Sequence, residues 1–213
     1  MPAIGVRNLH YAPITNEDPV TGYETYGDPV RLARTITINL SVELADAILY
    51  ADDGAVVVIK EFKTGSLAIN VDDLGHQVSA AIIGASIDDN GVLVNADIDT
   101  PNPVAIGFEA PDAYKRLRKF WLPRATFGVP SMELETMGDS ITFKTPTING
   151  TVMKRNKLDA RGARPWKFEA REGDIAVPQS VLDNWFNEVY DPDNVVVPPT
   201  EPPIEPPVEP TEP

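Results

Sequence analysis

The chain has 213 residues, of which 42% are hydrophobic, and it carries 18 Lys and Arg against 32 Asp and Glu, 21 prolines and no cysteine. The lack of cysteine excludes disulfide frameworks, thiolate metal centres and cysteine nucleophiles, and the first residues and the apolar runs predict neither a secretion signal nor a membrane span. A net charge of −14 argues against tight, sequence-independent capture of nucleic acid, which needs Lys and Arg to replace phosphate counterions.

Short alternating segments dominate the first third of the chain. Apolar and polar positions alternate in four predicted strands, at residues 4–11, 32–40, 55–62 and 66–71. Asp53-Gly54 is a strong hairpin signal, because both residues tolerate the positive φ that tight turns need.

A short helix is predicted next. Leu74, Val78 and Ile82 recur at helical spacing after Asp73, a possible N-cap, and Gly84 supplies a stop. The helix therefore interrupts a chain that otherwise reads as strands.

Strands continue through the second half of the chain. They are predicted at residues 92–95, 104–109, 114–127, 132–136, 140–145, 147–154 and 165–170, with hairpin signals at Asn90-Gly91 and Asn149-Gly150. A change of apolar parity at Pro146 predicts a bulge or bend there. An apolar stripe from Val181 to Val189, behind Pro178, predicts a second helix. The pattern predicts a mainly β (α+β) domain, a sandwich or open barrel with a helix packed on it.

The last segment differs from the rest in composition. Residues 191–213 hold 9 of the 21 prolines, 6 acidic residues and no basic residue, and Glu recurs at every fourth position from Glu201 to Glu209. Proline and uniform negative charge predict an extended, polyproline-like tail. The tail is either a semi-rigid spacer towards a further domain or a disordered solubilising end. We therefore expect a folded domain at residues 1–190 and a tail or linker at 191–213.

No sequence motif indicates a catalytic or metal site. His10 and His76 lie in different elements without triad spacing, and no phosphate-binding glycine loop is present. The acidic runs at 52–54 and 88–91 lack the distal Glu of a calcium loop and are interpreted as turns. A glycosidase-type carboxylate pair stays open, because a chain this acidic offers many pairs. We predict no catalytic residue, cofactor or metal.

Charge is distributed unevenly along the chain. Residues 1–114 hold 5 basic and 17 acidic side chains, whereas residues 115–190 hold 13 and 9. Surfaces of opposite charge on one molecule would favour head-to-tail pairing between copies. The alternative is that the charges are segregated along the sequence by chance, within a folded monomer. The basic cluster at 115–119, next to Phe120 and Trp121, resembles a stacking platform for single-stranded nucleic acid, but strand parity favours a solvated or subunit-contacting strand.

Several longer motifs resemble the major tail tube proteins of bacteriophages with long, flexible, non-contractile tails. The order and spacing of these motifs match from about residue 4 to Tyr190. The motifs are Gly5–Ala12, Tyr26–Pro29, Leu49–Gly54, Ile87–Leu93, Val104–Phe108 and Gly138–Thr151, of which the last is the most specific.

This resemblance implies a β-sandwich or barrel-like subunit with one flanking helix and a short C-terminal helix. Such subunits form hexameric rings that stack into a tube with a β-barrel inner wall, through which double-stranded DNA passes without specific binding. The implied partners are further copies of the chain, a tape-measure protein and tail terminator or initiator proteins, in a virion tail assembled in the bacterial cytoplasm. Related proteins often add an immunoglobulin-like domain, which suits the spacer interpretation of the tail.

Family members reach the adjoining ring with a long loop or hairpin. By order along the chain, residues 43–63 are the candidate for this arm and residues 11–31 for a second contact loop. Four acidic residues are expected to contribute to assembly or to lumen charge, since an acidic lumen repels phosphate. They are Glu43, Asp46, Asp52 and Asp53. The alternatives are a tethered β-sandwich that binds a cell-surface glycan and, less favoured, a carboxylate hydrolase.

Overall fold

The computed structural model describes residues 2–51, 54–136 and 143–193. It is 47% strand and 7% helix with antiparallel sheets, which confirms the predicted mainly β fold class. Within the described residues, no helix has the length and apolar character needed to cross a membrane.

The described residues form eleven strands and two helices. The strands are β1 (Arg7–Glu17), β2 (Glu24–Tyr26), β3 (Val30–Ala33), β4 (Thr35–Ala51), β5 (Gly54–Val71), β6 (Ser86–Ile87), β7 (Leu93–Val94), β8 (Val104–Pro111), β9 (Leu117–Phe127), β10 (Thr147–Val152) and β11 (Phe168–Arg171). The helices are α1 (His76–Ile83) and α2 (Gln179–Asp183).

One antiparallel sheet contains nine of these strands. Its main order is β2-β1-β8-β9-β10-β5-β4, while β11 pairs with β9 and β3 pairs with β1. Only Arg34 separates β3 from β4, so the pairing of β3 with β1 brings the β4 end of the sheet back towards β1. The sheet therefore curls on itself, and β6 with β7 forms a separate small hairpin.

Neighbouring residues on the central strands point into two different cores. Ile106 and Leu122 belong to the core enclosed by the curled sheet, whereas Ala105 and Trp121 belong to a second core on the outer face. The inner core is closed by α1 and the outer one by the C-terminal segment. Period-two alternation thus buries both faces of β8 and of the middle of β9, which explains the nearly continuous apolar sequence of β8.

Several strand predictions need correction. The segments 55–62 and 66–71 form one strand, β5, because pairing with β4 continues past a bulge near Glu43. Residues 132–136 form no strand, and only Ser131 makes an isolated bridge to Thr147. Of the predicted strand 140–145, residues 140–142 lie outside the described residues and the others are not in a strand. Pairing therefore begins directly after Pro146, where a bulge or bend was expected.

The Asn149-Gly150 hairpin prediction is wrong, because both residues lie inside β10. Gly150 is directly opposite Phe127 of β9, and a Cβ at this position would lie 2.5 Å from the Phe127 ring. Glycine serves close packing here rather than a turn. The Asn90-Gly91 turn is confirmed between β6 and β7, where Gly91 has φ of 81°.

The helix predictions are partly confirmed. Helix α1 begins one residue after Gly75, not after Asp73, and no side chain caps it. Gly84 ends it as predicted, with φ of 76° and its N–H bonded to the carbonyl oxygen of Ala80. Helix α2 is shorter than the predicted stripe, but Leu182, Trp185 and Val189 all pack in the outer core.

Candidate assembly surfaces

The distal halves of β4 and β5 form a two-stranded projection. β10 pairs with β5 only from Gly65 to Asn70, whereas β4 and β5 remain paired to Ala51 and Gly54. We call residues 43–51 and 54–64 the arm. From Glu43 to Ala51 it extends roughly 27 Å, at about 3.4 Å per residue.

The arm exposes apolar side chains on both of its faces. Five of them are about half exposed: Leu44 (50%), Ile48 (47%), Val57 (41%), Val58 (54%) and Ile59 (50%). A two-stranded hairpin is at best marginally stable alone in water, and clustered exposed apolar groups mark interaction surfaces. The arm therefore has the properties of a segment that another protein surface covers.

Two of the four predicted acidic site residues lie on this arm. The Thr64 hydroxyl donates a 3.4 Å hydrogen bond to Glu43 Oε2, and Lys63 Nζ is 3.9 Å from the same oxygen. Asp46 is opposite Lys60 in the strand register, and both are exposed. Glu43 and Asp46 thus lie on the same strand, three residues apart, and each faces a different residue of β5. Asp52 and Asp53 lie outside the described residues.

Strand β4 is an edge of the sheet. Among the described residues it pairs only with β5, so the backbone N–H and C=O groups along its other side are available over most of its 17 residues. Such an edge is a template for pairing with another strand. The arm and this edge are continuous, which joins two association features in one element.

The stacking platform for nucleic acid does not form. Trp121 is fully buried, and its Nε1–H donates a 2.8 Å hydrogen bond to the carbonyl oxygen of Trp185. Arg116 is paired with Asp112 at 3.0 Å, and Arg118 is paired with Glu169 at 2.5 Å. Trp121, Arg116 and Arg118 therefore all have partners within the subunit.

Charges from distant parts of the sequence also pair within one subunit. Arg124 lies 2.6 Å from Glu17, and Glu109 lies 2.8 Å from Arg7 and 3.8 Å from Lys119. The segregation along the sequence is thus partly neutralised inside the fold. Head-to-tail pairing through opposite charge stays a prediction.

A partly buried ionic cluster holds residues 191–193, where the acidic tail begins, and sequence patterns did not reveal it. Arg155 is 1% exposed, and its Nη1 donates a 3.2 Å hydrogen bond to Asp191. Lys157 Nζ reaches the same carboxylate at 2.6 Å and Asp193 at 3.3 Å. Burial alone would raise the pKa of Asp191, but the Lys157 hydrogen bond and both cations hold it below its ordinary value. We call these four residues the tail-root cluster.

The residues considered for catalysis or metal binding do not converge. His10 stacks on Phe186 with ring centroids 4.7 Å apart, while His76 opens α1. Asp88 accepts hydrogen bonds from the backbone N–H groups of Val92 and Asn90, which lower its pKa and identify the segment as a turn. Across residues 2–51, 54–136 and 143–193, no three His, Asp or Glu side chains are placed to hold a metal ion.

No protein-family model matches the chain, and no curated protein matches it significantly. The features of this chain that bear on its function are the arm, the free edge of β4 and the motifs of the sequence itself.

Proposed function

We propose that this chain is a structural subunit that polymerises as stacked hexameric rings into the tail tube of a bacteriophage. The observation that supports this most directly is the arm, a projecting hairpin with five half-exposed apolar side chains on an open sheet edge. A chain with these features is built to be covered by further copies or by a partner.

The proposed assembly uses two contacts, one within a ring and one between adjoining rings. Pairing the free edge of β4 with a different surface of a second copy is heterologous, and such contacts close into a ring when the rotation between copies permits. The arm extends beyond the sheet and provides a separate contact towards an adjoining ring. Six-fold closure is taken from the resemblance to tail tube proteins.

The assembled tube would conduct double-stranded DNA into the bacterial host. No catalytic step is needed, and the subunit supplies a passage without strong phosphate-binding sites. The partners proposed with it are a tape-measure protein and tail terminator or initiator proteins. The assembled form would belong to the virion tail after assembly in the bacterial cytoplasm.

Electron microscopy of the purified chain tests the proposal. We expect rings or tubes from the unmodified chain and loss of tubes from the double variant Ile48→Asn/Val58→Asn. The matched control is Val92→Asn/Val94→Asn, which changes two exposed apolar residues near the β6–β7 turn. Circular dichroism would show that both variants keep the fold.

A monomer that forms neither rings nor tubes under any assembly condition would contradict the proposal. If such a monomer also bound a bacterial surface polysaccharide, the glycan-binding alternative would replace it. Equal assembly of the arm variant and the unmodified chain would remove the arm from the contact.

A further inference from the structure

A single surface of the sheet carries only small, uncharged residues. We call it the neutral face, and it is formed by outward-pointing positions of β4, β5, β10 and the end of β9. Its members are Thr37, Asn39, Ser41, Ser66, Ala68, Asn70, Thr126, Thr147, Asn149 and Thr151. Their neighbours along the strands, such as Leu67, Ile69 and Ile148, point into the inner core.

The register aligns these residues in rows across the strands. Asn39, Ala68 and Asn149 form one row, and Ser41, Ser66 and Thr151 form the next. None of the ten positions carries a charged or aromatic side chain. The next row on this face pairs Glu43 with Thr64, so charge returns at the border of the face.

The opposite part of the outer sheet surface is covered. Leu182 and Trp185 of the C-terminal segment pack with Ala105 and Trp121, over β8 and β9. Because the sheet curls, the covered part and the neutral face point in different directions. Among the described residues, no segment covers the neutral face, whereas the surface over β8 and β9 is covered by Leu182, Trp185 and Val189 of the same chain.

The position of the tail root indicates which wall faces outwards in a tube. The tail-root cluster holds Asp191 on the covered side, through Arg155 and Lys157. Residues 194–213, which include eight prolines and four glutamates, follow from that point. Six such segments in each ring would compete with DNA for a channel, so the covered side fits the outside of a tube.

We propose that the neutral face lines the channel and is the surface that passing duplex DNA contacts. This inference rests on the proposed tail tube function. Hydroxyl and amide groups keep water at the wall without forming ion pairs with phosphate, and no aromatic ring is available to stack on bases. The wall would thus be neutral rather than acidic, with Glu43 only at its border.

Single-cysteine labelling tests this placement, since the chain has no cysteine of its own. Asn39→Cys and Thr151→Cys place a thiol on the neutral face, and Glu188→Cys, on the covered side, is the matched exposed control. Each variant is treated with a small maleimide and with a maleimide attached to a 5 kDa polyethylene glycol. The free subunit and the assembled tube are compared.

We expect all three thiols to react with both reagents in the free subunit. In tubes, the two neutral-face thiols should still react with the small maleimide, but their reaction with the large one should fall at least tenfold relative to Glu188→Cys. Equal labelling by the large reagent would overturn the inference, since the neutral face would then lie outside. Protection from both reagents would also overturn it, since the face would then be buried between subunits.

Binding of DNA provides the second test. Tubes of the unmodified chain should not co-sediment with a short DNA duplex, whereas tubes of Asn39→Lys/Thr151→Lys should retain it at low salt and release it at high salt. Lysine tubes that retain no more duplex than unmodified tubes would overturn the DNA contact. Failure of the unmodified chain to form tubes would instead overturn the proposed function, and is seen before any labelling.

Discussion

Replacing Gly107 with alanine should loosen the C-terminal segment. Gly107 lies opposite Trp121 in the β8–β9 register, and a Cβ there would be 2.7 Å from Cη2 of the indole ring. The ring cannot retreat easily, because it is fully buried and its N–H is bonded to Trp185. Overpacking typically costs about 1–3 kcal/mol, and losing the hydrogen bond adds about 1 kcal/mol, so we expect a loss of about 2–4 kcal/mol in unfolding free energy.

Urea denaturation followed by tryptophan fluorescence measures this loss. Gly75→Ala is the matched control, because no atom lies within 4 Å of its new Cβ and its φ of −63° suits alanine. The double variant Gly107→Ala/Trp121→Phe should show a coupling energy of at least about 0.5 kcal/mol, since the smaller ring relieves the contact. A Gly107→Ala protein within about 0.5 kcal/mol of the unmodified chain would refute the reasoning.

Three further predictions concern charged residues. Arg155→Met should lower the unfolding free energy by about 1–3 kcal/mol, because Asp191 is then partly buried with Lys157 as its one remaining cation. Urea denaturation would measure this loss, and an unchanged midpoint would contradict the prediction. The depressed pKa of Asp191 contributes stability that is complete above its ordinary pKa of 3.8 and is lost as pH falls through the lower folded-state pKa. The acid-induced drop in urea midpoint should therefore be smaller in Asp191→Asn, and identical pH profiles would exclude this contribution. Asp46→Lys places two positive charges opposite each other, at positions 46 and 60. Their repulsion should destabilise the arm by about 0.2–1 kcal/mol and slow assembly at low salt. Light scattering would follow the assembly, and a normal rate that does not depend on salt would argue against the prediction.

Local residue preferences predicted the two central strands. The strands predicted at 104–109 and 114–127 form β8 and β9, with single ends shifted by two and three residues. The alternating pattern at 132–136 also predicted a strand. Among the described residues, however, no strand pairs with this segment, and only the adjoining Ser131 forms a bridge, to Thr147. Strand formation there depends on a neighbour, which a local pattern cannot supply.

The candidate surfaces, like the strands, were predictable from the sequence only in part. The family resemblance and the order along the chain predict an inter-ring arm at residues 43–63. The structure shows a projecting hairpin there, with Glu43 and Asp46 on β4, and the inter-ring role stays a prediction. Neither the neutral face nor the tail-root cluster was predicted. The neutral face combines positions from four strands, and Arg155 meets Asp191 across 36 residues of sequence. Such groupings have no local signature.

The sequence by itself determined the mainly β class, the Gly84 helix stop, the absence of thiol chemistry and the distinct composition of residues 191–213. These properties depend on residue types and on local backbone preferences. Only the tertiary structure decided that Trp121 is buried under the C-terminal segment and that β4 is an open edge. Burial and edge position depend on which strands pair. Strand pairing joins residues that are distant in sequence, so local preferences do not determine it.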